Sequence, residues 1–203
     1  FIFIVLYSIF VLIQNNFKNH KEQLVYIYYF FALIISLAVG FSGNEDEYKR
    51  IFLLYPKFPD FFSFNDAIIF QKGPIFGFIT SLLKTLGFQV QSVVLVFTFL
   101  GVFIMAIYFR KFTQYYFLAF LIYLSHDFAI KMWGGLRIGV SSALLLPMIY
   151  YLHHGKKIKF YFLLVISTLI QYVAILSFFL IFLKRKFKSS TLWLGLILSI
   201  IML

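Results

Sequence analysis

The residue whose type and position most suggest chemistry is Arg137, which closes the run His126-Asp127-Phe128-Ala129-Ile130-Lys131-Met132-Trp133-Gly134-Gly135-Leu136-Arg137 and stands at the start of an apolar stretch. A cation at a helix N-terminus meets the positive end of the macrodipole. An Arg near membrane depth costs about 2.5 kcal/mol or more unless it is paired or hydrated. A segment carrying both Lys131 and Arg137 on the outer face also opposes the positive-inside trend. A bound anion relieves all three, because helix N-terminal amides and a guanidinium fork together make a phosphate or diphosphate site. The plainer alternative is an interfacial Arg snorkelling to water or paired with Asp127. A second candidate is Glu45-Asp46-Glu47-Tyr48, three adjacent carboxylates able to supply a general base or bind a cation, or simply a solvated loop.

The remaining chemistry is narrowed by what the chain lacks. It has no cysteine, hence no disulfide, thiolate metal site, iron–sulfur cluster or thiol catalysis. It contains no P-loop, no dinucleotide fingerprint and no His-Glu-x-x-His. His20, His153 and His154 fall in basic loops and His126 on the other side, so no metal site and no cofactor are expected.

The elements that hold these residues must be membrane helices. With 63% hydrophobic and 12% charged residues over 203 positions and a mean hydropathy of +0.95, the composition excludes an ordinary soluble domain. The net charge of +11 sits in short basic runs beside apolar stretches, which points to the lipid bilayer as partner and away from nucleic acid. Apolar runs cover Leu24–Phe41, Val90–Phe109, Phe112–Leu124, Ile138–Leu152 and Phe160–Leu183. The first two, at 18 and 20 residues, can cross a hydrocarbon core of about 30 Å. The thirteen and fifteen residues of the next two reach only about 20–22 Å, so they are expected to form a short hairpin around Ser125–Arg137. The expected fold is all-α, a polytopic transmembrane protein with short or re-entrant helical hairpins.

Charge assigns the sides. Arg110-Lys111, His153 to Lys159 and Lys184 to Lys188 should all face the cytoplasm. The last two agree only if Phe160–Leu183 is broken or re-entrant at Gln171-Tyr172, a break that would itself suggest a site. The other reading is one plain span with Gln171 bonded to a neighbouring helix. Ser42–Lys72, with five carboxylates against four Lys and Arg, is the acidic stretch and belongs outside as an ordered, membrane-hugging loop. Pro74 then opens a mildly amphipathic interfacial helix running to Phe88. Gly73-x-x-x-Gly77 and Gly135-x-x-x-Gly139 permit close helix approach, at a spacing common by chance. The chain is read as a single integral-membrane domain over 1–203, with an extracytoplasmic loop over 42–73. It begins without Met and stops inside an apolar run, and is taken as a fragment of a longer protein.

The order of these features resembles the EpsG family of bacterial polysaccharide polymerases, relatives of the Wzy-type O-antigen polymerases. Glu45-Asp46-Glu47-Tyr48 is similar to the family's acidic-aromatic motif, and Gly73-Pro74-Ile75-Phe76 to the motif that opens its amphipathic helix. Gly135-Leu136-Arg137-Ile138-Gly139 resembles its Gly/Asn-x-Arg-x-Gly hairpin motif closely. Gly73 stands where the family usually has Glu, and Gln171 where it usually has His.

The resemblance implies a multi-pass protein of the bacterial cytoplasmic (inner) membrane. Its function would be to join oligosaccharide repeat units carried on undecaprenyl diphosphate into exopolysaccharide, capsule or O-antigen. A chain-length regulator and a flippase of the same pathway would be its partners. Under that reading Arg137 stabilises the departing diphosphate and Asp46 takes the acceptor proton, with Glu45, Glu47, Tyr48, Asp127, Lys131, Trp133 and Gln171 binding substrate. Rival readings are a transporter or flippase for lipid-linked sugars and a non-catalytic membrane subunit.

Overall fold

The computed structural model describes residues 21–42, 51–60, 73–124 and 135–183, 87% of them helical and with no strand among them. The elements are α1 (Lys21–Ser42), a helical turn over 51–54 continuing into a 3-10 turn (Tyr55–Lys57), α2 (Pro74–Thr85), α3 (Val90–Phe112), α4 (Tyr116–Ile122), α5 (Leu136–Ala143), α6 (Leu145–His153), α7 (Lys157–Ile170), a 3-10 helix (Tyr172–Phe179) and α8 (Leu180–Leu183). Three helical stretches are long and apolar enough to cross a membrane: Glu22–Phe41, Val90–Phe112 and Leu136–His153.

α3 is the spine. One of its faces closes a core with α1 and α4, built on Tyr28, Ala32, Val102, Ala106, Phe117 and Phe120. The opposite face closes a second core with α2, α5, α6 and α7, built on Phe76, Val93, Phe97, Val140, Met148 and Phe160. α1 runs antiparallel to α3: a Cβ on Gly40 would lie 3.1 Å from the Leu95 Cα, while at the other end the Tyr28 hydroxyl donates to the Ala106 carbonyl at 3.0 Å. That hydrogen bond satisfies a polar group lodged among four other rings, where leaving it unpaired costs about 1–3 kcal/mol.

The short hairpin differs from its sequence outline in both arms. α3 continues through Arg110 and Lys111 to Phe112, because cations in a last turn suit the negative end of the dipole, so the first arm begins only at Tyr116. The second arm lengthens to 18 residues, about 27 Å, and is interrupted at Leu144. Pro147 accounts for the interruption: it has no amide to donate to the carbonyl four residues back, that of Ala143, where α5 ends. The connection over 125–134 lies outside the described residues.

Two ends of this bundle are distinguishable. At one, the Lys111 ammonium lies 4.6 Å from the Tyr108 ring and 5.3 Å from the Tyr150 ring, and that of Lys159 lies 5.3 Å from the Tyr151 ring. The first two basic clusters therefore share one end, as expected of a hairpin that returns to its starting side. The third, at 184–188, lies outside the described residues. At the other end, the 51–60 segment folds back onto α2, burying Ile51 and Phe58 in the second core. The Lys84 ammonium donates to the carbonyls of Pro56 and Phe58 and lies 3.9 Å from the Asp60 carboxylate, and the Tyr55 hydroxyl donates to the Phe88 carbonyl. Burial raises the Tyr55 phenol above its ordinary pKa, which keeps it a donor. Residues 51–60 of the acidic stretch thus pack against α2, and the stretch's residues 43–50 and 61–72 lie outside the described ones. α2 covers Pro74–Thr85, close to the amphipathic helix anticipated over 74–88.

Candidate functional site

Arg137 is the second residue of α5, at the end of the bundle away from the lysine–tyrosine cluster, 14 residues and about 21 Å of helix from Tyr151. Gly135 caps the start of α5, its carbonyl accepting from the Gly139 amide at 2.8 Å. Leu136, beside Arg137, is buried in the second core and so fixes which way the guanidinium points. The Arg137 side chain is half-buried and its guanidinium lies 5.5 Å from the centroid of the Phe76 ring on α2. Such a contact contributes about 0.5–2 kcal/mol, increasing with desolvation. Phe76 cannot swing away, since its ring packs on Phe97 at 5.0 Å and on Phe58 at 6.3 Å.

Phe76 in turn is set by Gly73. That residue has φ +97°, and a Cβ on it would lie 2.3 Å from the Ile170 carbonyl oxygen and 3.0 Å from that of Leu169. Only glycine tolerates both the conformation and the closeness. The N-terminus of α2 therefore sits directly on the last carbonyls of α7, positive helix end against negative helix end. The position at which the family usually carries Glu has, in this arrangement, no room for any side chain.

Gln171 is where α7 stops. Its φ of −146° and ψ of 115° are extended, its amide donates back to the Ser167 carbonyl at 2.9 Å, and its carbonyl accepts from the Ala174 amide at 2.9 Å to begin the 3-10 helix. The plain uninterrupted span through Phe160–Leu183 is thus not what forms; the helix is broken at Gln171-Tyr172. The break costs regular hydrogen bonds, and the Gly73 contact lies against the last two residues of α7 before it. Two residues of α5 and α7 further tie the junction: the buried Ser167 hydroxyl donates to the Ser141 carbonyl at 3.3 Å.

Arg137 and Gln171, two of the residues singled out from sequence, therefore stand on neighbouring helix ends joined through Phe76 and Gly73. Asp46, Glu45, Glu47, Tyr48, Asp127, Lys131 and Trp133 lie outside the described residues. Phe76 and the steric need for Gly73 carry weight that sequence reasoning did not give them. The signal for Gly73 was present in its place immediately before a helix-opening Pro. Among the described residues no group of three His, Cys, Asp or Glu could hold a metal ion.

An all-α chain with three helices long and apolar enough to cross a membrane, matched by one family model over most of its length, is a membrane protein of the polysaccharide-polymerase-like class. The model of the EpsG family matches residues 23–203, and the chain belongs to the EpsG family. No curated protein and no solved structure matches it.

Proposed function

We propose that this protein joins oligosaccharide repeat units carried on undecaprenyl diphosphate, at the outer face of the bacterial cytoplasmic membrane. The observation that carries the reading is the half-buried Arg137 at the start of α5, held on Phe76 at the end of the bundle opposite the basic clusters. An acceptor hydroxyl attacks the anomeric carbon of the donor sugar, forming the glycosidic bond as the bond from that carbon to the lipid diphosphate breaks. Arg137, with Lys131, receives the charge that develops on the leaving diphosphate, and Asp46 takes the acceptor proton. The remaining residues, Glu45, Glu47, Tyr48, Asp127, Trp133 and Gln171, are assigned to binding donor and acceptor. Because the donor is already activated, the step requires neither nucleotide nor metal.

The broken helix at Gln171 is equally at home in a second reading, a transporter of the same lipid-linked sugar, since broken helices commonly form transporter sites. One experiment separates the two: complementation of a polymerase-deficient strain by the full-length gene carrying Arg137→Ala, with protein level checked. Loss of long chains while single repeat units still reach the surface supports polymerisation. Failure of single units to reach the surface supports transport, and unchanged banding makes Arg137 an interfacial anchor.

A further inference from the structure

The opposite end of the bundle carries a second constellation that the polymerisation reading does not use. The Tyr108 hydroxyl on α3 donates to the Tyr151 hydroxyl on α6 at 3.2 Å, which leaves the Tyr151 proton available for another acceptor. The Lys111 and Lys159 ammonium groups lie over the rings that carry and flank that hydroxyl, and Lys156 is tied to the same residue, its backbone amide donating to the Tyr151 carbonyl at 2.8 Å. Lys111 and Lys159 are held by the faces of Tyr108, Tyr150 and Tyr151, so their positions are set by rings rather than by carboxylates. Arg110 and Lys157 add two more exposed cations at this end, where Glu22 is the one described carboxylate. So many like charges converging on a hydroxyl donor call for an oxyanion.

The surface beside it has the shape of a lipid tail. From the turn that carries Lys156 and Lys159, α7 exposes Ile158, Phe162, Val165 and Leu169 at 86%, 65%, 56% and 37%. Their spacing of four, three and four places them in one stripe along the helix, running from the lysines to the end of α7 that meets Gly73.

We infer that Tyr151, Lys111, Lys156 and Lys159 form a site for the phosphate of an anionic glycerophospholipid whose acyl chains lie along the Ile158–Phe162–Val165–Leu169 stripe. The phosphate accepts from Tyr151 and neutralises the ammonium cluster, while the tails cover the apolar stripe below. The site is independent of Arg137 and of the polymerisation reading, and loss of polymer in Arg137 variants leaves it intact.

The test is native mass spectrometry and thermal unfolding of the full-length protein in detergent, titrated with phosphatidylglycerol, phosphatidylcholine or inorganic phosphate. Phosphatidylglycerol is expected to be retained and to raise Tm, with phosphatidylcholine retained weakly and without that shift. Lys111→Gln/Lys156→Gln/Lys159→Gln should weaken phosphatidylglycerol binding about a hundredfold. Tyr151→Phe, which removes only one hydroxyl and keeps the fold, should weaken it about fivefold. Undiminished binding in the triple variant, or in Tyr151→Phe should the triple variant not fold, overturns the site. A Tm shift matched by inorganic phosphate makes the occupant a free anion and overturns the lipid assignment, as does a second copy of the chain retained in place of lipid.

Discussion

The two ends of the bundle both hold cations over aromatic rings, and they do so in opposite ways. At the Arg137 end a single guanidinium rests on Phe76, a 4%-exposed ring without a hydroxyl, in a junction where Gly73 touches the Ile170 carbonyl. At the other end two exposed lysines, Lys111 and Lys159, rest on half-buried tyrosines, of which Tyr108 and Tyr151 share a hydroxyl hydrogen bond. The first is a fixed charge in a crowded place, suited to one geometry. The second is a solvated cluster able to take a headgroup in more than one pose. Precision at the first end depends on backbone against backbone, whereas affinity at the second depends on the sum of charges.

The comparison fails altogether if the two ends share a side of the membrane. The chain has no cysteine, so single cysteines introduced at Leu53, 69% exposed, and Ile158, 86% exposed, report without background. Labelling of intact cells with a membrane-impermeant maleimide should modify Leu53→Cys and spare Ile158→Cys until the cells are opened. The opposite pattern reverses the orientation, and equal labelling would place both ends on one side.

Next in size is the contrast between two glycines with positive φ, one at each end. Gly73 at +97° meets the Ile170 carbonyl oxygen, while Gly155 at +71° has open space around it. Gly73→Ala should cost about 4 kcal/mol or more, combining backbone strain with a clash against main chain that cannot rotate away. Gly155→Ala should cost only the left-handed penalty of about 1–2 kcal/mol. Unfolding of both variants in detergent measures the difference, and equal losses would show that the Gly73 junction is not tight.

Arg137→Lys separates fork from charge. A lysine keeps the positive charge and the contact with Phe76 but loses the planar pair of donors, and activity in the complementation assay is expected to fall about a hundredfold. Full activity would mean that this end, like the other, works by charge alone.

The sequence made the helices legible because membrane spans are long apolar runs bounded by charge: α1 and α3 lie where Leu24–Phe41 and Val90–Phe109 place them. Pro74 marked the start of α2 for a local reason, its missing amide and preset φ. The choice at Gln171 stayed open because breaking or continuing a helix there depends on what packs against its last carbonyls, and Gly73 is nearly one hundred residues away in the chain. For the same reason Arg137 could be picked out by its local oddity, while its partner Phe76 could not. Charge pairing was readable in one respect: the basic runs at 110–111 and 153–159 do meet. That they meet through tyrosine rings needed the relative rotation of α3 and α6, which neither run encodes by itself.

The smallest expected effect tests whether the tyrosines act as rings or as hydroxyls. Tyr108→Phe removes the donor to Tyr151 but keeps the aromatic face beneath Lys111. The lost hydrogen bond is partly exposed and water can replace it, so stability should change by less than about 1 kcal/mol. Phosphatidylglycerol binding should also persist, because Tyr151 keeps its own hydroxyl and all three ammonium groups. A large loss of binding in Tyr108→Phe would show that the hydroxyl pair acts as one unit, with Tyr108 orienting the proton that Tyr151 offers. That end of the bundle would then be as geometrically demanding as the Arg137 junction, and the contrast between a precise end and an additive one would no longer hold.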